Sequence, residues 1–353
     1  MSFALDRDTA VGGADLAGTR FRARRIGDAP ARRWAYTLFM VGDSSTRGPC
    51  PVDDGDTWFA RAFDALYLDL YRHRDGREAA VFTRALQAKE VRGPFCEVAC
   101  GPGRFLRALA DAGETACGLD LSAPLLARAR EVLSGGSLVR GDMRVLPFRG
   151  GAFGAVLLLF TSFGYFADPD DDRRVLAEAV RILRPDGSFV LDFLNAGATV
   201  RSLVAMSRRE VAGVRVVERR WVDPRGPFLR KTVEAEPGEA GLPGLPRGER
   251  VRLYEPRELR ALVAAHGLTV VAEFGDYEGT SFEAEESARF ILVTRLEGTR
   301  GGFSGGFRTS RSPRRRGWNR LGGSSRRRGS IRPRRSNRRC MGGLGPVGPG
   351  RTQ

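Results

Sequence analysis

The stretch 95–103, of sequence FCEVACGPG, constrains the fold of this 353-residue chain more than any other. Its apolar part, 95–99, predicts a short buried parallel strand, and Gly101 and Gly103 interrupt it just before an amphipathic segment at 104–112. Glycines at such a turn allow unusual backbone dihedrals and let a ligand approach the main chain closely. The helix N-terminus that follows offers unpaired N–H groups to polar or anionic parts of a ligand. The stretch therefore predicts a strand, a tight turn and a helix that bind a ligand.

A second strand is predicted over 115–119, and it ends in Asp120. In open α/β sheets an acid at this edge can accept hydrogen bonds from both hydroxyls of a ribose. The glycine turn and this acid together predict a nucleoside cofactor. Leu106 stands where the dinucleotide-binding fingerprint has its third glycine, which disfavours a pyrophosphate-binding turn.

The run Glu97–Gly103 resembles the first motif of the class I S-adenosylmethionine-dependent methyltransferases, which is an acid, a spacer, a small residue and then G-x-G. The resemblance covers about residues 57–296 and departs from the family at Ala99, where glycine is commoner. It implies S-adenosylmethionine as cofactor, with Glu97 ordering the turn and the glycines lining the methionine half. The cofactor-binding residues that we expect are Glu97, Ala99, Cys100, Gly101, Gly103, Asp120, Leu121, Asp142, Met143 and Phe160.

Two further segments fit this resemblance. A third strand at about 137–140 leads to Asp142 and Met143, which match the family positions that hydrogen-bond the adenine amino group and pack on its ring. A fourth strand, 155–160, is an uninterrupted apolar run that is typical of a strand covered on both faces.

The predicted fold class is α/β, with a Rossmann-like seven-stranded sheet that is mostly parallel, has an antiparallel last strand and carries helices on both faces. Alternating segments around 213–222 and 228–235 predict a small antiparallel β insertion after strand five. This insertion, at about 196–254, is the candidate substrate cap within a methyltransferase domain at 56–297. Residues 1–55 are predicted to form a poorly ordered N-terminal extension.

The net charge of +16 comes from the tail, 298–353, which contains 16 arginines and no acidic residue. The other 42 basic residues balance the 42 acidic residues of the chain. The tail has too little apolar surface to fold alone and is predicted to be disordered. Three interpretations stay open: RNA or DNA binding, a solvated extension, and a segment that GC-rich DNA encodes out of frame.

Several sequence features bear on the setting of the protein. No apolar run approaches the ~20 residues that span a membrane, and the chain start lacks the features of a signal peptide. The five cysteines have no regular spacing, which favours a reducing cytoplasm. Cys96 and Cys100 lack the third cysteine of an iron–sulfur motif, since Gly103 stands in its place, so we expect no metal.

The acceptor is the least determined part of the prediction. The segment 161–166 follows the fourth strand, where substrates of this family meet the methyl group, and it lacks the D/N-P-P-Y signature of nucleobase and glutamine methyltransferases. This absence disfavours methylation of an exocyclic amine by that route and leaves oxygen, other nitrogen, carbon and sulfur acceptors open. An aromatic stripe between Trp58 and Tyr71 is interpreted as sheet packing, and ligand contact through Tyr67, Tyr71 or His73 is the alternative that the resemblance leaves open.

No side chain is assigned as catalytic. The candidate catalytic residues are His73, as a base, and Tyr165, and the candidate substrate-binding residues are Phe163, Tyr165, Asn195 and Arg230.

We interpret the chain as an enzyme that transfers a methyl group to a small-molecule acceptor by in-line displacement. Two alternatives remain: an RNA methyltransferase assisted by the basic tail, and a non-catalytic protein that binds the cofactor. No oligomeric state is predicted.

Overall fold

The computed structural model describes residues 58–72, 76–133 and 137–297. The predicted extension at 1–55 and the predicted basic tail at 298–353 lie outside the described residues. None of the described helices is long and apolar enough to cross a membrane.

Helices and strands alternate between residues 77 and 140, in the order that the sequence predicts. Ser122 accepts a hydrogen bond from the Leu125 N–H at the start of the helix at 123–132, and Asp168 accepts one from the Asp170 N–H at the start of the helix at 169–182. Such caps satisfy N–H groups that lack partners within the helix and so fix where each helix begins. The helices are α1 (Trp58–Ala62), α2 (Ala65–Leu70), α3 (Arg77–Ala88), α4 (Arg104–Asp111), α5 (Ala123–Val132), α6 (Pro169–Ile182), α7 (Ala196–Arg201) and α8 (Pro256–Ala265).

The strands form two sheets. They are β1 (Phe95–Val98), β2 (Ala116–Asp120), β3 (Ser137–Arg140), β4 (Phe153–Leu158), β5 (Leu183–Leu194), β6 (Met206–Val211), β7 (Val214–Val222), β8 (Phe228–Ala235), β9 (Arg247–Arg252), β10 (Leu268–Phe274) and β11 (Arg289–Leu296). The larger sheet has the order β10-β11-β5-β4-β1-β2-β3, and β11 is antiparallel to both of its neighbours. The predicted seven-stranded, mostly parallel sheet with an antiparallel last strand is confirmed.

Successive residues of the central strands belong to two different cores. Phe95 and Leu157 pack in a cluster with Phe82 of α3, whereas Cys96 and Leu158 pack in a cluster on the opposite face, which α6 also joins. Side chains alternate between the faces of a strand, so a continuously apolar strand needs a cover on both. The predicted helices on both faces follow from this pattern.

The smaller sheet, of order β6-β7-β8-β9, is antiparallel throughout and lies in sequence between β5 and α8. The predicted hairpin corresponds to β7 and β8. Strand β9 contacts the loop that follows β4, because the Arg252 N–H donates to the Gly164 carbonyl oxygen at 2.7 Å and the Arg252 guanidinium donates to the Ala167 carbonyl oxygen at 2.7 Å. The inserted sheet thereby holds a loop that reaches the carboxyl edge of the main sheet.

Candidate functional site

A cleft opens at the carboxyl ends of β1 to β4. Strand β1 pairs with β2 on one side and with β4 on the other, so the connections leave β1 in opposite directions. Ligands of open α/β sheets bind at such a switch point. The residues of the wall come from the ends of these strands, the loops that follow them and the first two helices. They include Glu97, Ala99, Cys100, Gly101 and Arg104 in and after β1, Asp120 and Leu121 at the end of β2, Asp142 and Met143 after β3, Phe160, Ser162, Tyr165 and Phe166 after β4, Phe59 of α1, Phe63 between α1 and α2, and Tyr67 of α2.

The turn after β1 is left-handed at three positions. Ala99, Gly101 and Gly103 have φ values of +56°, +55° and +81°. Ala99, which stands where the resembling family prefers glycine, therefore adopts a conformation that costs an L-residue about 1–2 kcal/mol. Gly103 does not line the cleft. A side chain there would meet Ala129 of α5, with 3.2 Å between the two Cβ atoms, so this glycine allows α4 and α5 to pack closely.

Asp120 joins the turn to the end of β2. One carboxylate oxygen accepts the Gly101 N–H and the other accepts the Ser122 N–H, both at 2.8 Å. Burial raises the pKa of Asp120, while these amides and that of Leu121 oppose the rise. A carboxylate has about four acceptor sites, so Asp120 keeps acceptor capacity for a ligand hydroxyl.

Glu97 is the least satisfied acid in the wall. Its side chain is buried, and its Oε2 atom has no hydrogen-bond partner among the described residues. Burial raises the pKa of Glu97 to about 8, and the nearby charge of Arg104 opposes this rise. Because an unpaired buried acid is unfavourable, Glu97 suits a ligand that brings a cation or a strong donor.

Asp142 and Met143 border the cleft beyond β3. The Asp142 carboxylate accepts from the Arg144 side chain at 2.7 Å and from the Arg144 N–H at 2.9 Å. Burial raises the pKa of Asp142, but the hydrogen bonds and charge of Arg144 outweigh it and lower the pKa. This carboxylate is thus held ionised and oriented in the part of the wall that Met143 also lines.

Aromatic rings form a further part of the wall. Phe63 stacks on Tyr165 with 5.9 Å between ring centroids, and Phe59 packs edge-on against Phe166 at 5.3 Å. The Trp58 indole N–H donates to the Tyr165 carbonyl oxygen at 3.2 Å and so ties α1 to the loop after β4. The aromatic stripe that we interpreted as sheet packing in fact reaches the cleft, through Phe59, Phe63 and Tyr67.

The remaining predicted residues lie elsewhere. Phe163 is fully buried, with its ring against Tyr254, and the Asn195 amide donates to two backbone carbonyl oxygens. Arg230 lies in the inserted sheet, where its Nε donates to Asp223 at 2.6 Å. These three do not line the cleft, whereas Tyr165 does. His73 is outside the described residues.

Sequence reasoning missed Arg104 and Ser162, both of which line the cleft. The sequence shows that Arg104 directly follows the glycine turn. It does not show where the side chain of this first helical residue points, so its place in the wall of the cleft could not be predicted.

Comparison with known proteins identifies the class. Residues 96–191 match the family model of a methyltransferase domain. The chain is 30% identical over 195 residues to the dTDP-3-amino-3,6-dideoxy-alpha-D-glucopyranose N,N-dimethyltransferase of Streptomyces fradiae, an alignment that covers 50% of this chain and 74% of that protein. It is 38% identical over 135 residues to the corresponding 3,4,6-trideoxy sugar N,N-dimethyltransferase of Streptomyces venezuelae, covering 38% of this chain and 56% of that protein.

Solved structures agree with this assignment. The CcbJ methyltransferase from Streptomyces caelestis superposes with a TM-score of 0.56 at 25% identity, covering 67% of this chain and 98% of that chain. An S-adenosylmethionine-dependent methyltransferase from Clostridium acetobutylicum has the same fold, with a TM-score of 0.55 at 16% identity over 66% of this chain and 97% of that chain.

The chain belongs to the class I S-adenosylmethionine-dependent methyltransferases. It is an enzyme of the transferase class, and its cofactor is S-adenosylmethionine. The wall of the cleft fits this cofactor, since Glu97 lines it with a buried carboxylate oxygen that has no partner among the described residues and can accept from an ammonium group.

Proposed function

We propose that this enzyme methylates an amine nitrogen of a small-molecule acceptor that enters the aromatic side of the cleft. The carrying observation is the wall formed by Phe59, Phe63, Tyr67, Tyr165 and Phe166. Aromatic faces attract cations, and an amine nitrogen becomes positively charged as it gains a methyl group. Two relatives whose names specify amino sugars as substrates support a sugar-like acceptor.

The acids of the cleft take the cofactor roles in this proposal. Asp120 accepts the ribose hydroxyls, because both of its oxygens are already oriented by backbone N–H groups at 2.8 Å. Asp142 accepts from the adenine amino group, and Met143 packs on the ring. Gly101 and its neighbours in the turn border the methionine half.

When bound, S-adenosylmethionine supplies a methyl group that is already electrophilic, so the nitrogen lone pair forms the new bond as the carbon–sulfur bond breaks and its electron pair stays on sulfur. The contribution of the protein is to orient the acceptor and exclude water, which can supply much of the rate enhancement. Phe63 and Tyr165 serve both purposes, since their stacked rings close one side of the cleft. A neutral amine needs no base while the bond forms, so this reaction requires no catalytic histidine.

Tyr165 also contributes a hydrogen-bond donor. Its side chain is buried, and burial raises the pKa of its phenol well above the usual range. The phenol therefore stays protonated and serves as a hydrogen-bond donor to the acceptor rather than as a base.

We further propose a cytoplasmic setting. The thiols of Cys96, Cys100 and Cys117 are free, and two of them are buried. Unpaired thiols are usual in a reducing compartment, where disulfides are rare.

The test uses acceptors that differ in a single group. The full chain is incubated with methyl-labelled S-adenosylmethionine and with a nucleoside-diphosphate 3-amino sugar or its 3-hydroxy counterpart, and products are identified by mass spectrometry. We expect label on the amino compound alone. Transfer to the hydroxy compound, or to RNA or protein but to no amine in a wider panel, contradicts the proposal.

A further inference from the structure

We propose that Arg252, at the end of the inserted sheet, positions Tyr165 for the acceptor without contacting the acceptor itself. Asp172 of α6 assists by holding the neighbouring backbone. The inference rests on the proposed function, because it takes Tyr165 as a residue that contacts the acceptor. It gives the inserted sheet a role in acceptor binding that is exerted through the loop 161–167.

Arg252 holds this loop at two points. Its backbone N–H donates to the Gly164 carbonyl oxygen, and its guanidinium donates to the Ala167 carbonyl oxygen, both at 2.7 Å. These two carbonyl groups bracket Tyr165 and Phe166, which both line the cleft. The last residue of β9 therefore fixes the backbone on either side of two rings of the aromatic wall.

Both peptide groups that flank Tyr165 are hydrogen-bonded. The Gly164 carbonyl belongs to the preceding peptide group and accepts from Arg252, and the Tyr165 carbonyl accepts from the Trp58 indole N–H at 3.2 Å. Each residue has only two soft backbone dihedrals, so fixing the two adjoining peptide planes fixes the direction of its Cα–Cβ bond. The position of the Tyr165 ring in the cleft thus depends on β9 as well as on α1.

Gly164 lies between β9 and α6 and contacts both. Its φ is +84°, and a Cβ atom at this position would lie 3.2 Å from the Arg252 carbonyl oxygen, so glycine suits both the conformation and the close approach. The Gly164 N–H donates to the Asp172 carboxylate at 3.3 Å. The middle of the loop is thereby held from two sides.

Asp172 is itself held in place by residues at the end of the inserted sheet. Its side chain is completely buried, and its Oδ2 accepts from the Tyr254 hydroxyl at 2.7 Å and lies 3.9 Å from the Arg252 Nε. Arg252 is largely buried too, with 13% of its side chain exposed. Removing one partner of such a pair leaves an uncompensated buried charge, so the two charges favour one arrangement of β9, α6 and the loop.

The experiment compares acceptor turnover with cofactor binding in matched variants. Arg252→Met removes the guanidinium but keeps an unbranched side chain and the backbone N–H. Arg201→Met is the control, because the Arg201 guanidinium also donates to a backbone carbonyl oxygen, that of Glu285 at 2.8 Å, and Arg201 does not line the cleft. Steady-state kinetics with a nucleoside-diphosphate 3-amino sugar and calorimetry with S-adenosylhomocysteine are performed on the full chain.

We expect Arg252→Met to lower kcat/KM for the amino sugar by about tenfold or more, because a hydrogen bond from a charged group is lost. The loss should appear mainly as a higher KM for the amino sugar, since Tyr165 binds the acceptor before and during the reaction. The dissociation constant of S-adenosylhomocysteine should change by less than about twofold, and Arg201→Met should change neither quantity. Equal losses in turnover and cofactor binding, or an unchanged kcat/KM, overturn the inference.

A double-mutant cycle tests whether Arg252 acts through Tyr165. Tyr165→Ala removes the ring that Arg252 positions. Adding Arg252→Met to Tyr165→Ala should then lower kcat/KM by less than a further factor of about two, because coupled residues have non-additive effects. Additive losses show that Arg252 acts by another route and contradict the inference.

Hydrogen exchange gives a readout that needs no acceptor. The amides of 162–167 should exchange at least about tenfold faster in Arg252→Met than in the unmodified protein, because the loop opens more readily once a bond to β9 is lost. Unchanged exchange overturns the inference. Failure of the unmodified protein to methylate any amine overturns the proposed function instead, and the exchange rates still decide whether Arg252 positions the loop.

A milder variant covers the case in which Arg252→Met does not fold. Arg252→Lys keeps a cation beside Asp172 but lacks the planar fork of the guanidinium. The same measurements should then show a loss of about threefold or more in kcat/KM and faster exchange of the loop amides. Values equal to those of the unmodified protein contradict the inference.

Discussion

Two buried acids near the carboxyl edge of the same sheet have opposite surroundings. Asp192 of β5 accepts hydrogen bonds from the Phe160 N–H, the Tyr277 hydroxyl and the Arg289 side chain. Glu97 of β1 is equally inaccessible, yet its Oε2 has no partner in the described part of the chain. From this difference we infer that Asp192 stabilises the fold, and we propose that Glu97 serves ligand binding.

The Asp192 cluster supports the wall of the cleft from behind. Phe160 and Thr161 have φ values of +55° and +60°, so two consecutive residues with side chains occupy the left-handed region. The Thr161 N–H donates to the Asp192 carbonyl oxygen at 3.0 Å, and its hydroxyl accepts from Arg289 at 3.0 Å. Such conformations persist only where surrounding contacts determine them. One buried network thereby fixes the ring on which Arg104 packs.

The largest effect is expected from Asp192→Asn. Losing the charge leaves the buried guanidinium of Arg289 unpaired, so the free energy of unfolding should fall by about 3–5 kcal/mol. Urea denaturation measures the change. Asp111→Asn is the control, because Asp111 is exposed on α4 and its pair with Arg107 should contribute less than about 1 kcal/mol. Equal losses in the two variants contradict a structural role for Asp192.

A smaller effect on the free energy of unfolding, which depends on pH, is expected from Glu97→Gln. Burial raises the pKa of Glu97 from its ordinary 4.5 to about 8 in the folded protein. The charge of Arg104 and the hydrogen bond from the Leu106 N–H oppose this rise, and the charge of Asp120 adds to it. Between about pH 4.5 and 8 the unfolded chain therefore loses a proton that the folded protein retains, so Glu97 makes the free energy of unfolding fall as pH rises. Glu97→Gln should remove this contribution to the pH dependence.

Thermal denaturation without cofactor between pH 5 and 9 measures this slope. Asp172, whose burial raises its pKa to about 6, acts in the same direction but is present in both proteins, so the difference between the curves reports Glu97. Parallel curves for the two proteins show that Glu97 is not the group responsible.

The smallest effect is expected from Ala99→Gly. Its φ of +56° suits glycine, and relief of this strain should raise the free energy of unfolding by up to about 1 kcal/mol. Ala212→Gly is a matched control in the turn between β6 and β7, where φ is +48°. Both variants should gain stability and retain cofactor affinity within about twofold. A marked loss of affinity in Ala99→Gly alone indicates that the alanine methyl group contacts the ligand.

Local patterns were sufficient to predict the main sheet and the acids at its edge. The apolar runs of β1 and β4 and the glycine turn encode buried strands and a binding turn within a few residues. Strand β6 was not predicted, because its sequence MSRREV lacks apolar alternation and, as an edge strand, it pairs through its backbone with β7 alone.

The residues of the site were predicted from sequence only where they lie at the end of a strand. The contact between Arg104 and Phe160 joins residues on different strand–helix units, and no local pattern encodes it. In the loop after β4, Tyr165 lines the cleft while Phe163 packs in the core. Left-handed residues at 160 and 161 change the chain direction there, so neither strand nor helix periodicity applies.

The most direct test of the account is a calorimetric titration of S-adenosylhomocysteine into the unmodified protein and into Asp120→Ala, with circular dichroism to confirm that both are folded. The account predicts one binding site per chain and an affinity at least about tenfold lower in the variant, since a bond to a charged acceptor is lost. Absence of binding to the unmodified protein, or equal affinity in a folded Asp120→Ala, contradicts it.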